Sequence, residues 1–197
     1  MIRIAKRALI LLTIALAGCV VIDGRSWRES TSKEGPAGLS GRFTTKAAYV
    51  SKKGNLTLEN NLALLMRVRD AQAADTVTMS FSESQGLTVR FEKNSTEILS
   101  KVYRPEDGLR VTEEGRIELL NIDGCDAALV QGIPSAGCLW TTITLFSNQS
   151  GDLIAVESNS SAMVFAILPV GVYIKRMAVF PRVGKDACDF MRPIYSC

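Results

Sequence analysis

Two stretches of alternating residues constrain the fold of this chain more than any other feature of the sequence. In residues 76–82 and again in residues 86–92, apolar side chains alternate with polar ones. A period of two places successive side chains on opposite faces of a strand. Residues 83–86 join the two stretches, so they predict a β-hairpin with one buried face. The apolar members of that face are Val77, Met79, Phe81, Leu87, Val89 and Phe91.

One helix is predicted, over residues 58–73. Leu58, Leu62, Leu65 and Met66 recur at spacings of three and four, which is typical of an amphipathic helix that packs on a sheet. Further strands are predicted at 39–50, 95–103, 115–120, 139–146, 152–157, 162–168 and 172–180, with turns at 105–108, 121–137, 147–151, 158–161 and 169–171. Short strands separated by regular turns predict a mainly β (α+β) fold, an antiparallel β-meander or partly closed barrel with one packed α-helix.

The start of the chain has the order of a secretory signal peptide. Arg3, Lys6 and Arg7 precede an apolar run that begins at Ala8, and two small residues follow it. The run is shorter than the roughly 20 residues that a membrane-spanning helix needs. An ordinary signal peptide and a short uncleaved anchor are the alternatives that this pattern leaves open.

Leu16-Ala17-Gly18-Cys19 resembles the lipobox of bacterial lipoproteins. The resemblance implies that residues 1–18 are a signal peptide removed by cleavage and that Cys19 becomes an acylated first residue. Several acyl chains on one residue would hold the chain firmly at a membrane. Position 20 is Val and not the Asp that retains such proteins at the inner membrane, which implies an outer-membrane anchor with the domain facing the periplasm.

Four cysteines remain after Cys19: Cys125, Cys138, Cys188 and Cys197. An even number in an exported chain predicts two disulfides, for which three pairings are possible. Proximity in sequence favours Cys125 with Cys138 and Cys188 with Cys197. A metal site is the alternative, although the cysteines lack paired C-x-x-C spacing and the chain has no His.

Removal of residues 1–18 changes the charge balance of the chain. These residues hold three of the 23 basic residues and none of the 20 acidic ones, so 20 of each remain. A chain with no net charge has no positive field to attract nucleic acid, so nucleic acid is not predicted as a partner. Residues 19–39 are rich in Ser, Gly and charge, and they are predicted to form a flexible tether. Residues 40–197 are predicted to form a single β-rich domain.

No catalytic centre is predicted. The absence of His excludes Ser-His-Asp and Cys-His catalysis, and the paired cysteines leave no thiolate nucleophile. Acid pairs at Glu113 and Glu114, at Asp123 and Asp126, and at Asp186 and Asp189 are predicted to be solvated turn residues. The prediction is therefore not an enzyme, with no cofactor and no metal.

Two functions are consistent with these residues. The first is a membrane-anchored, non-catalytic interaction or structural module that binds an envelope protein through a sheet edge or loops. The second is a carrier of an apolar ligand or lipid, if the apolar face of the predicted hairpin lines a cavity. Gly41-Arg42-Phe43 resembles the Gly-x-Trp segment that opens lipocalins, with Phe in place of Trp, and this implies a barrel-like shape alone.

Overall fold

The computed structural model describes residues 20–22, 35–53, 56–57, 60–130, 133–165 and 168–184. Within these ranges the fold is mainly β, with antiparallel sheets and one α-helix, as the sequence predicts. The strands are β1 Val20–Ile22, β2 Gly41–Thr44, β3 Tyr49–Val50, β4 Lys52–Lys53, β5 Leu56–Thr57, β6 Thr76–Ser82, β7 Gly86–Lys93, β8 Thr96–Tyr103, β9 Leu109–Val111, β10 Ile117–Val130, β11 Ile133–Ser147, β12 Leu153–Phe165 and β13 Leu168–Phe180. The helix α1 is Leu62–Leu65, and 3-10 turns lie at Gly35–Leu39, Arg69–Ala71 and Pro105–Asp107.

The predicted hairpin is confirmed as β6 and β7. These strands form a four-stranded sheet in the order β2-β6-β7-β8, and the register places Met79 opposite Val89. Gly86 opens β7 at a φ of 83°, where a Cβ would collide with the carbonyl oxygen of Tyr103. Glycine is therefore required at this corner, because an L side chain is strained there and has no space.

The helix is shorter than predicted. Asn61 caps α1 through its side-chain oxygen, which accepts from the amide of Ala63, so the helix begins at Leu62. Arg67 adopts a φ of 59°, a left-handed conformation that ends the helical path before the 3-10 turn at Arg69–Ala71. The predicted apolar stripe is nevertheless buried at Leu62, Leu65 and Met66, and Leu58 lies outside the described residues. Periodicity thus identified the buried side chains and overestimated the helical length.

The second sheet has the order β1-β13-β12-β11-β10-β9, and β3 also pairs with β13. Its central strands run for 13 to 15 residues. The turns predicted within 121–137 and at 158–161, and the break predicted at 169–171, are wrong, because most of these residues lie within the long strands. Ladder pairing on both sides compensates for the weak strand propensity of Gly, Asn and Ser. Strands β4 and β5 form a third sheet of two strands, and among the described residues none of the three sheets closes into a barrel.

Contacts between Cα atoms divide the chain into two compact units. One unit, called the arm here, comprises residues 1–25, 121–141 and 158–175. The other, called the body, comprises residues 26–120, 142–157 and 176–197. Residues 40–197 contribute to both units, and the long strands β10 to β13 each contain residues of both.

The body contains the hydrophobic core. Its largest cluster joins α1 and the inner face of the four-stranded sheet to Ile143, Leu145, Leu153 and Phe180 of the second sheet. Leu39 is fully buried in the same cluster, and it belongs to the 3-10 turn Gly35–Leu39. Residues 35–39 of the predicted tether form this turn, which brings Leu39 into the core.

Candidate functional site

The predicted disulfide between Cys125 and Cys138 is confirmed. It joins β10 to β11 in the arm, with the two Cα atoms 4.0 Å apart. The predicted turn around these residues is instead a pair of strands, so the disulfide links neighbouring strands. Cys19, Cys188 and Cys197 lie outside the described residues.

The apolar face that suggested a carrier forms part of the core. Val77, Met79, Leu87, Val89 and Phe91 are buried in the largest cluster, and Phe81 packs against that cluster while partly buried. Their neighbours are protein side chains such as Leu62 and Phe43. This face is therefore filled by the protein itself, and it provides no observation in favour of a bound ligand.

The acidic pairs that the structure describes lie in two different places. Glu113 and Glu114 lie in the turn before β10, where Glu114 pairs with Arg116 at 3.0 Å. Asp123 and Asp126 lie within β10, which corrects their placement in a turn, and Asp186 and Asp189 lie outside the described residues. In the described part of the chain no three His, Cys, Asp or Glu residues are grouped as metal ligands would be.

None of the helices in the described ranges has both the length and the apolar character needed to cross a bilayer.

The feature that remains as a candidate site is the edge strand β8, Thr96–Tyr103. It pairs with β7 on one side, and no described strand pairs with its other side. The strand is eight residues long, and Ile98 and Val102 are 41% and 39% exposed. A free row of backbone donors and acceptors with apolar side chains beside it is a template for another strand.

The opposite edge of the same sheet is covered. The amide of Thr44 in β2 donates to the carbonyl of Pro181 at 2.9 Å, and the amide of Val183 donates to the carbonyl of Arg42 at 2.8 Å. The chain that follows β13 therefore occupies the edge at β2. The described part of the sheet is open at β8 alone.

Core contacts hold the inward face of the edge strand. Tyr103 is buried, and its hydroxyl donates to the carbonyl of Met66 at 3.3 Å. Burial, and then the negative charge of Asp107, raise the pKa of Tyr103 well above its usual value. Leu99 is half-buried against the core opposite Phe91. These contacts order the strand while its outer edge remains accessible.

The edge strand also has features that limit indiscriminate pairing. The register with β7 shifts between Phe91 and Glu92, which marks a β-bulge at Ile98. Lys101 extends over the ring of Tyr103, with its Nζ atom 4.4 Å from the ring centroid. Bulges and lysines on edges disfavour aggregation. These features therefore limit which strands could pair with this edge.

The outward face of this sheet is polar and charged. Arg42 pairs with Glu92 at 2.7 Å, and Thr76 and Thr78 donate to the same carboxylate. Arg42 also donates to the Thr76 hydroxyl at 3.1 Å. This network is ordered across β2, β6 and β7, so apolar surface on this sheet is concentrated at its free edge.

Sequence reasoning identified the third strand and not its position at an edge. Strand order depends on contacts between residues far apart in sequence, and the local periodicity of side chains does not predict these contacts. The available signal was the weak alternation of residues 95–103, in which Ile98 and Val102 occupy positions that a half-buried strand usually gives to polar residues.

Comparisons with protein-family models, with curated proteins and with solved structures give no match to this chain.

Proposed function

We propose that this protein is a lipid-anchored envelope protein whose body binds a partner protein by strand addition at β8. The observation that carries the proposal is the free edge of β8 with Ile98 and Val102 exposed beside it. Main-chain hydrogen bonds would give the affinity, and the two apolar side chains with Lys101 would give the selectivity. The role is non-catalytic.

The sequence supports the anchor. Leu16-Ala17-Gly18-Cys19 follows a positively charged start and an apolar run, which is the order of a lipoprotein signal. Acylation of Cys19 would hold the body at a membrane surface, and Val20 favours the outer membrane with the body in the periplasm. The Cys125–Cys138 disulfide is consistent with an oxidising compartment.

Site-specific photocrosslinking in whole cells tests strand addition. A benzophenone amino acid placed at Ser100 lies in the exposed middle of β8. The matched control is Arg90, which is exposed on β7 and directly opposite Ser100 in the register. A partner strand at the edge would lie next to residue 100 and one strand further from residue 90. We therefore expect a discrete crosslinked product at position 100 and little at position 90.

A second variant tests whether the apolar side chains contribute. Val102→Lys adds a charge where the side chain is already 39% exposed, so the fold is expected to persist. The crosslink from position 100 should fall about tenfold, which corresponds to about 1.4 kcal/mol. Equal crosslinking at positions 90 and 100, or no product at either, would contradict strand addition at this edge.

A further inference from the structure

The arm contains very few charged residues. Its strand segments, residues 121–141 and 158–175, contain three charged residues in 39, namely Asp123, Asp126 and Lys175. Charged residues make up 22% of the whole chain, so about nine would be expected. Residues 158–174 contain none, and residues 162–172 read Ala-Met-Val-Phe-Ala-Ile-Leu-Pro-Val-Gly-Val.

Within the arm, the described elements all belong to one sheet. They are β1 and the adjoining segments of β10 to β13, which occupy neighbouring positions in a single sheet. One layer of strands cannot bury both of its faces against itself. An apolar segment of such a layer therefore needs cover from outside the arm.

The register of β1 indicates what that cover is. Val20 pairs with Val172 and Ile22 pairs with Ile174, in parallel. A lipid on Cys19 would be bonded one residue before Val20, and in this parallel register the residue that precedes the pair of Val20 and Val172 is on the Leu168 side of β13. β12 ends at Phe165 and β13 begins at Leu168, and in the sheet β13 lies next to β1 while β12 lies one strand further away.

The dimensions match one leaflet of a bilayer. From Val172 to Leu168 is four residues of strand, or about 13 Å at roughly 3.3 Å per residue. The hydrocarbon core of a bilayer is about 30 Å thick, so a single leaflet is about 15 Å deep. A lipid-bearing residue at the membrane surface would thus place the start of β13 within the same leaflet as its acyl chains.

We infer that the end of β12, residues 162–165, and the start of β13, residues 168–172, insert into the leaflet that holds the acyl chains of Cys19. The ligand is the lipid bilayer itself, and the insertion is a second point of membrane attachment. Two attachment points would restrict rotation of the arm about the anchor. The inference rests on the proposed lipid anchor and extends it.

Depth-dependent fluorescence quenching tests the inference on the full, membrane-extracted chain. Phe165→Trp supplies a reporter at the end of β12, in a chain whose native tryptophans are replaced by Trp27→Phe and Trp140→Phe. The control reporter is Val111→Trp, at a 41% exposed position in the body. Each chain is reconstituted in vesicles of phosphatidylethanolamine and phosphatidylglycerol whose acyl chains carry bromine at mid-chain. Urea unfolding of each variant confirms that it folds.

We expect brominated lipid to quench the emission of the reporter at position 165 by about half or more. The emission of the control reporter at position 111 should stay within about a tenth of its value. Insertion is overturned if aqueous acrylamide quenches the reporter at position 165 and brominated lipid does not. It is equally overturned if neither reagent quenches that reporter, because protein then covers the strand ends, as in an oligomer of this chain.

The intact mass of the same sample reports acylation of Cys19 separately. Failure of the anchor is therefore distinguishable from failure of insertion.

Discussion

Arg182 is expected to be the most important single side chain for joining the start of the body to its last strand. Its Nε donates to the carbonyl of Gly151 at 2.9 Å, and its Nη2 donates to the carbonyl of Ser40 at 3.2 Å. Its guanidinium also lies 5.3 Å from the ring centroid of Phe43. The side chain therefore connects the segment before β2 to the turn before β12 and to the end of β13.

The expected cost of Arg182→Ala follows from these contacts. A hydrogen bond to a charged group contributes about 1.5–3 kcal/mol when it is sheltered, and an exposed cation–π contact about 0.5–1 kcal/mol. Arg182 is half-buried, so water replaces part of what is lost. The free energy of unfolding should fall by about 2–4 kcal/mol, and Arg182→Lys should recover part of that loss because it keeps the charge without the planar fork.

Urea unfolding measures this loss, with Val183→Ala as the control at a neighbouring, 40% exposed position. Gly41→Ala gives a sharper test, because a Cβ there would lie 2.9 Å from Cζ of Arg182. This added methyl group should destabilise the native chain and have little effect once Arg182 is replaced by Ala. Equal effects of Gly41→Ala in both backgrounds, or a loss below about 0.5 kcal/mol for Arg182→Ala, would refute the assigned role.

Three further predictions concern other parts of the molecule. Because burial raises the pKa of Tyr103 above its usual value of 10.0, the unfolded chain loses this proton first, and stability should fall as pH rises above about 10 by up to about 1.4 kcal/mol per unit. Tyr103→Phe should remove that part of the slope in urea titrations at increasing pH. Phe91→Ala should cost about 3–5 kcal/mol in the same assay, because Phe91 is fully buried, whereas Ile98→Ala should cost less than about 1 kcal/mol. Replacing Cys125 and Cys138 together with Ser opens a loop of 13 residues' separation and should cost about 3 kcal/mol by the chain-entropy relation.

Each of these three predictions has a result that contradicts it. Parallel pH profiles for native Tyr103 and the Phe variant would show that this hydroxyl is not shielded from solvent. A loss below about 1 kcal/mol at Phe91 would mean that the inner face of the sheet is loosely packed. Unchanged stability without the disulfide would show that hydrogen bonds between β10 and β11 already hold these residues together in the unfolded chain.

The alternation of apolar and polar residues was sufficient to predict a strand where one face of that strand packs on the core. The alternation around Val77 and Phe91 predicted β6, β7 and their pairing, because side-chain burial and strand period agree there. Cys125 and Cys138 were also predicted to pair, since short separation makes loop closure easy. At Asn61 and Arg67 the prediction of a long helix was wrong, because capping and a left-handed residue end α1 regardless of apolar spacing.

Non-local pairing determined the features that sequence reasoning missed. Asn159 lies in a predicted turn, yet it belongs to β12 and accepts a hydrogen bond from the hydroxyl of Thr141 at 2.7 Å. Glu157 pairs with Arg176 across the neighbouring strands β12 and β13. The order of strands in the sheet decides which residues become such partners, and the periodicity of one sequence does not reveal that order. The free edge of β8 and the charge-poor arm follow from the same strand order.

The intact mass of the protein extracted from its own membrane is the most direct test of the proposed anchor. We predict a chain of 179 residues that begins at Cys19, carries the added mass of acyl groups on that residue, and lacks residues 1–18 of the 197. A chain that retains residues 1–18, or one that begins at Cys19 with an unmodified thiol, would contradict it.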